Sequence, residues 1–238
     1  MSGTLRTITD IREKSAGSGL YLVLVDGSPM GVISAASIAS LSLRIGSTLD
    51  VRAIDRLQDA VAEQGVFDKA VQLLTVRRRA TQELHRRLIR AGAGKVHVEA
   101  AIRRLTALGY LNDSAYADAM VRTKLIDGGA SRRRVQQELF KKGVSREVAD
   151  AALAQVADQY QANEAASALT LARKRLRSLR ALDSATRRRR LYGFLARRGY
   201  DPSAVAAAMK ALGEELASDQ IGSDDEEARE DLEEQGDE

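Results

Sequence analysis

The sequence predicts a mainly α fold of tandem helical repeats with a small β-containing module at its amino end, and three observations predict it. Three stretches repeat one pattern, a basic helical segment ending Leu-x3-Gly with another core-type residue ten positions after the glycine: Leu88, Gly92 and Ile102; Leu139, Gly143 and Leu153; Leu195, Gly199 and Met209. Four residues before each leucine stands a further apolar residue (Leu84, Val135, Leu191), so one stripe of each helix is apolar at i, i+4 spacing. The glycines lie 51 and 56 residues apart. That is the length of a few-helix unit rather than an independent domain, so neighbouring units are expected to share cores.

Residues 1–66 are expected to form the small module. Thr4 to Ile11 and Leu20 to Val25 are rich in β-branched or apolar residues, and Asp26-Gly27-Ser28-Pro29 makes a turn before Met30 to Ile33. This predicts an antiparallel hairpin or a three-stranded sheet. Ser34 caps a short helix to about Leu43, and Asp50 caps another running through Leu57 and Val61 to Gly65. From Lys69 onward nearly every segment has helical periodicity. The first repeat, 67–111, carries helices over about Lys69–Arg77, Thr81–Arg90 and Val96–Leu108, the last ended by Gly109. In the second, 112–157, Asn112 or Asp113 caps a helix to Asp127 and Gly128-Gly129 breaks it; Ser131 caps the next to Lys142, and Ser145 caps a third. The third, 158–213, has helices over about Gln161–Arg177, Ser184–Arg198 and Pro202–Leu212, with Asp201 as cap and Pro202 at the first helical position. Gly193 inside the middle helix costs about 1 kcal/mol relative to alanine. Beyond it, 214–238 forms an acidic tail with too little apolar surface to offset its ordering entropy, and is expected to be disordered.

Composition narrows the function. The chain has 238 residues, 44% of them hydrophobic, enough to bury a core, and no cysteine, which excludes disulfides and thiolate metal sites. The amino terminus lacks the apolar stretch of a signal peptide, and the longest apolar run, Leu20 to Val25, is too short to span a bilayer. A soluble, cytoplasmic protein is expected. The net charge of +4 hides a division: residues 214–238 hold 13 acidic side chains and one arginine, while residues 1–213 carry 36 basic and 20 acidic residues. A basic body joined to an acidic tail points to a polyanionic partner, and also allows the tail to associate with the body.

The arginines are clustered, and several clusters recur just before or within the helix that ends in Leu-x3-Gly. The residues taken to contact the partner are Arg77, Arg79, Arg86, Arg87, Arg90, Arg132, Arg133, Arg134, Lys141, Lys142, Arg173, Lys174, Arg175, Arg187, Arg188, Arg190, Arg197 and Arg198. Side chains three or four apart on one helix face stand about 5 to 6 Å apart along the axis, comparable to the spacing of phosphates on a strand. Stacked repeats thus make a basic track for a nucleic-acid backbone; a solvated face and an acidic protein surface are the competing readings. With nine aromatic residues and no tryptophan, base-specific reading has little support. If about six phosphates of a duplex are neutralised, log K falls with log salt at a slope near −5. Catalysis finds no residues to carry it. Gly92-Ala-Gly94-Lys95-Val96 lacks the first glycine and the hydroxyl of a phosphate loop, and His85 and His97 have no Cys, Asp or Glu at metal-ligand spacing. No cofactor or metal is expected.

Three segments carry a family resemblance: Leu73-Leu74-x-x-Arg77-x-Arg79-x-x-x-Glu83-Leu84-x-x-x-Leu88; Leu108-Gly109-Tyr110-Leu111-Asn112-Asp113-x-x-Tyr116-Ala117; and Arg134-Val135-x-x-Glu138-Leu139-x-x-Lys142-Gly143-Val144. They resemble the RecX family of bacterial recombinase regulators. The likeness covers about 90 residues well. It extends more weakly to the third repeat and touches the amino-terminal module through Val25-Asp26-Gly27. It implies three tandem three-helix units in an elongated, curved array. It further implies a regulator that lodges in the groove of the RecA recombinase filament on DNA and restrains filament growth, ATP hydrolysis and strand exchange; a monomer without enzyme activity is expected. Affinity for single-stranded and double-stranded DNA would be independent of sequence. A DNA-binding or architectural protein without a recombinase partner is the alternative. Two departures stand out. Ala80 occupies a position where the family usually has serine, removing a capping-box hydroxyl opposite Glu83, and the acidic tail goes beyond the family's usual end.

Overall fold

A computed structural model describes residues 5–160, 162–213 and 216; the tail expected to be disordered lies, apart from Leu216, outside the described residues. The described residues fall into two compact units divided between Tyr116 and Ala117.

In the first unit, β1 (Arg6–Glu13), β2 (Leu20–Val25), β3 (Ser28–Ser34) and β4 (Thr48–Leu49) form one antiparallel sheet in the order β3-β2-β1-β4. The sheet thus has four strands, one more than the largest expected, because the two residues of β4 pair with Arg6 and Thr7. Asp26 and Gly27, both at positive φ, make the tight turn between β2 and β3. The Asp26 carboxylate accepts from Arg6 Nε and from the Thr7 amide, each at 2.8 Å, and the Arg6 bond above all holds its pKa below the usual carboxylate value. A short helix α1 (Ala35–Ser40) follows, capped by Ser34 as expected.

Helix α2 (Val51–Val76) is where the sequence-based expectation fails. Two helices separated at Gly65 are one helix of 26 residues, so the expected division at 66/67 falls inside it. A lone glycine costs only about 1 kcal/mol in a helix, and packing on both sides of Gly65 outweighs that. The first half contributes Leu57, with Ile54 and Val61, to a core with Ile8, Val23, Val25 and Ile33 of the sheet. The second half contributes Ala70, with Phe67, Val71 and Leu74, to the core of the first repeat, which it completes with α3 (Thr81–Arg90) and α4 (Lys95–Ala107).

The second unit takes up the chain within α5 (Asp113–Val121), whose last stretch, Arg122–Asp127, is a π-helix ending at Gly128. The expected helix to Asp127 is therefore present with a widened final turn. Helices α6 (Arg132–Lys142) and α7 (Arg146–Gln159) follow, capped by Ser131 and Ser145. In the third repeat, Asn163, Asp183 and Asp201 cap α8 (Glu164–Arg177), α9 (Ser184–Arg197) and α10 (Pro202–Ala211). Its core joins Ala168, Ala172 and Leu176 of α8 with Leu191 and Leu195 of α9 and Val205 and Ala208 of α10. Leu216, within the stretch expected to be disordered, is buried in the same core.

Candidate nucleic-acid interface

The repeated Leu-x3-Gly is a helix stop with a buried anchor. Leu88, Leu139 and Leu195 are fully buried, as are Leu84, Val135 and Leu191 one turn earlier. Gly92, Gly143 and Gly199 take left-handed φ values of 85°, 88° and 81°, a region that only glycine enters without strain. In each repeat the residue after the glycine donates its amide to the anchor carbonyl: Ala93 to Leu88 at 3.2 Å, Val144 to Leu139 at 3.1 Å, Tyr200 to Leu195 at 3.4 Å. This is the Schellman closure of a helix C-terminus, and it fixes the direction in which the chain leaves each basic helix.

Within the second unit the stops of α6 and α9 meet different surroundings. Ser131, fully buried, accepts from the Arg134 amide at 3.2 Å and donates to the Arg198 carbonyl at 2.7 Å, although the two residues are 67 positions apart. The Tyr200 hydroxyl donates to the Gly129 carbonyl, and burial raises its pKa. A side chain at position 199 would meet Ser131 Oγ at 3.2 Å and Arg133 Cβ at 3.7 Å, so Gly199 lets the two repeats approach as well as ending a helix. The end of α9 is thereby held against the start of α6. Arg133, Arg134 and Lys141 of one repeat and Arg197 and Arg198 of the other surround an open cavity of about 430 Å³. Among the described residues Glu138 is the one carboxylate on its wall, and it pairs with Arg134 at 3.4 Å and Lys124 at 3.3 Å. Arg198 and Arg175 lie 4.8 and 5.6 Å from the ring centre of Phe194, which places a fifth guanidinium, the sixth cation, beside the cluster through cation–π contact.

Two residues taken as contacts are buried. Arg187 is 2% exposed, in helical phase with Leu191 and Leu195, and donates through Nη2 to the Leu216 carbonyl at 3.2 Å. Arg79 is 6% exposed; it donates to the Leu73 carbonyl at 3.1 Å and pairs with Glu83 at 3.2 Å. Neither reaches a phosphate track, because both are used up in holding the chain's own backbone and carboxylates. Arg77, exposed, pairs with the same Glu83. Arg86 and Arg90 are exposed and turn back to the carbonyls of Gln82 and Arg86, each at 3.2 Å, while Arg87 is exposed beside them. Arg132, Arg173, Lys174, Arg188 and Arg190 are exposed outside the cavity wall, and Lys142 is half-buried. A groove of about 460 Å³ in the first unit, lined by Val71, Leu74, Arg78, Tyr110 and Tyr116, had not been anticipated. Its trace in the sequence is Tyr110, a large ring directly after a helix-ending glycine, 64% exposed. Burial, and next the charge of Glu83, raise the pKa of Tyr116 there. Among the described residues no three His, Asp or Glu side chains gather as a metal site, and no helix is long and apolar enough to cross a membrane.

The sequence profile of the RecX second three-helix domain matches residues 112–153, and that of the RecX third three-helix domain matches 163–209. The regulatory protein RecX of Amycolatopsis mediterranei is 38% identical over 138 residues, 58% of this chain and 77% of the relative. The chain belongs to the RecX family. A regulatory protein RecX from Mycolicibacterium smegmatis is 36% identical over 66% of this chain and 82% of its own length. A crystal structure of regulatory protein RecX covers 86% of this chain and 99% of the solved one, with a TM-score of 0.73 at 21% identity, and shows the shared fold. The two RecX profiles fall on α5–α7 and α8–α10, one three-helix domain each.

The capping hydroxyl that α3 lacks at position 80 is replaced from elsewhere. Ala80 offers no side-chain cap to α3; instead Asp113 Oδ1 accepts from the Thr81 amide at 2.8 Å. The cap has moved to a residue 32 positions downstream, so it ties α3 to the start of α5 as well. Asp113→Ala is expected to cost about 1 kcal/mol of stability in urea unfolding. Adding Ala80→Ser to that variant should recover at least half the loss, and no recovery would mean that the Asp113 bond does not serve as the cap.

Proposed function

We propose that this RecX-family chain binds RecA recombinase filaments on DNA and inhibits filament growth, ATP hydrolysis and strand exchange, with a sequence-independent affinity for single-stranded and double-stranded DNA. The observation that carries the reading is the convergence of Arg133, Arg134, Lys141, Arg197 and Arg198 around one open cavity. Guanidinium groups bind phosphate bidentately, and five of the cluster's six cations are arginines, Arg175 included. Among the described residues no aromatic ring lines that cavity for base stacking, so its affinity is for backbone phosphate and carries no sequence preference. A recombinase filament on DNA offers phosphates at a regular spacing inside a protein groove, which suits basic helices set on a repeating scaffold. The chain acts as a cytoplasmic monomer without catalysis.

The test is a dose series of the chain against the DNA-dependent ATPase of RecA on single-stranded DNA, alongside binding to bare strands and preformed filaments at about 150 mM salt. Inhibition with tighter binding to filaments is the expected result. Full ATPase activity at saturating chain, or equal binding to bare strands and filaments, would reduce the function to plain DNA binding.

A further inference from the structure

We propose that the acidic segment 217–238 of this chain occupies the basic groove between the second and third repeats, and so competes with the polyanion that the groove takes. The inference rests on the groove being the polyanion site. Three observations carry it.

The first is charge. Residues 217–238 hold eleven carboxylates and one arginine, while the groove is lined by Arg133, Arg134, Lys141, Arg197 and Arg198 with Glu138 beside them among the described residues. The second is the position of Leu216, the last described residue. Leu216 is buried in the third-repeat core, and its carbonyl accepts from Arg187 in the first turn of α9. The groove lies at the other end of the same helix, at Arg197 and Arg198. Ten residues of helix separate Arg187 from Arg197, roughly 15 Å along the axis. The third is reach. The 22 residues after Leu216 span up to roughly 70 Å when extended, several times that distance. Tethering at this length keeps the carboxylates at roughly millimolar local concentration, so even weak pairing fills the groove when nothing else does.

The consequence is selectivity. The segment subtracts from the salt-dependent backbone term, which is the whole of the affinity for bare DNA but only part of the affinity for a partner that adds protein contacts. Bare DNA is then disfavoured relative to a protein-coated strand.

Carbodiimide coupling of the full chain at about 50 mM salt, read by mass spectrometry of the monomer band, should join carboxylates of 217–238 to Lys141 in preference to Lys69 and Lys95 of the first unit. A chain ending at Leu216, and a full chain with the eleven carboxylates changed to amides, should both bind a duplex oligonucleotide at least tenfold tighter at 50 mM salt, with the gain below twofold at 500 mM. Coupling spread evenly over the lysines would overturn the proposal, as would oligonucleotide affinities within twofold of one another. Preferential coupling to Lys141 in chains that bind no oligonucleotide with or without the segment would keep the tail contact and remove the nucleic-acid reading instead.

Discussion

Replacing Arg133 and Arg197 together by glutamate is expected to weaken binding to a duplex oligonucleotide about 600-fold at roughly 150 mM salt. Losing one phosphate contact removes about 0.9 from the slope of log K against log salt, which is about fivefold in affinity at this concentration. Placing a carboxylate where the guanidinium stood adds a repulsion of similar size, so each site contributes about 25-fold. Both residues are exposed and neither has an ion-pair partner among the described pairs, so circular dichroism and melting should be unchanged. Arg188→Glu with Arg190→Glu, equally exposed on α9 but outside the cavity, is the control for net charge. It should cost less than a tenth as much. Equal losses from the two pairs would show that the chain binds through diffuse charge and that the groove has no special standing.

Replacing Arg187 by alanine is expected to lose about 3 kcal/mol of stability, roughly 10 °C in the melting of the third repeat. The side chain is 2% exposed and its guanidinium satisfies the Leu216 carbonyl, so truncation opens a cavity and orphans a buried acceptor at once. Arg187→Met, which keeps most of the volume, should lose less, and Arg188→Ala should stay within about 0.5 kcal/mol of the parent. Measured at low temperature on the folded chain, the duplex affinity of the Arg187→Ala protein should fall no more than twofold. A loss of affinity without a loss of stability would return Arg187 to the binding face.

How far these features were legible depends on the range over which their causes act. The Leu-x3-Gly stops were legible because an i, i+4 apolar stripe and a left-handed glycine are both local, and the caps Ser131, Ser145 and Asp201 followed from the same short-range chemistry. Gly65 misled, since a helix break depends on what packs against each side of the glycine and not on the glycine alone. The run Arg187 to Arg190 reads as four equal charges, yet Arg187 shares the phase of Leu191 and Leu195, so its burial was written in the periodicity. The groove was illegible for a different reason. Ser131 and Arg198 stand 67 residues apart, and nothing at either end names the other. The shift of the α3 cap from residue 80 to Asp113 is of the same kind.

Helix α2 has a bearing on how the chain is dismantled. Its first half closes the core beneath the sheet and its second half closes the core of the first repeat, with no break at Gly65. A helix forms cooperatively along its length, so unravelling from one end removes a wall from both cores in turn. The amino-terminal module and the first repeat therefore melt together, and a fragment cut at the domain junction that the sequence first indicates would begin in the middle of a helix with half of a core exposed.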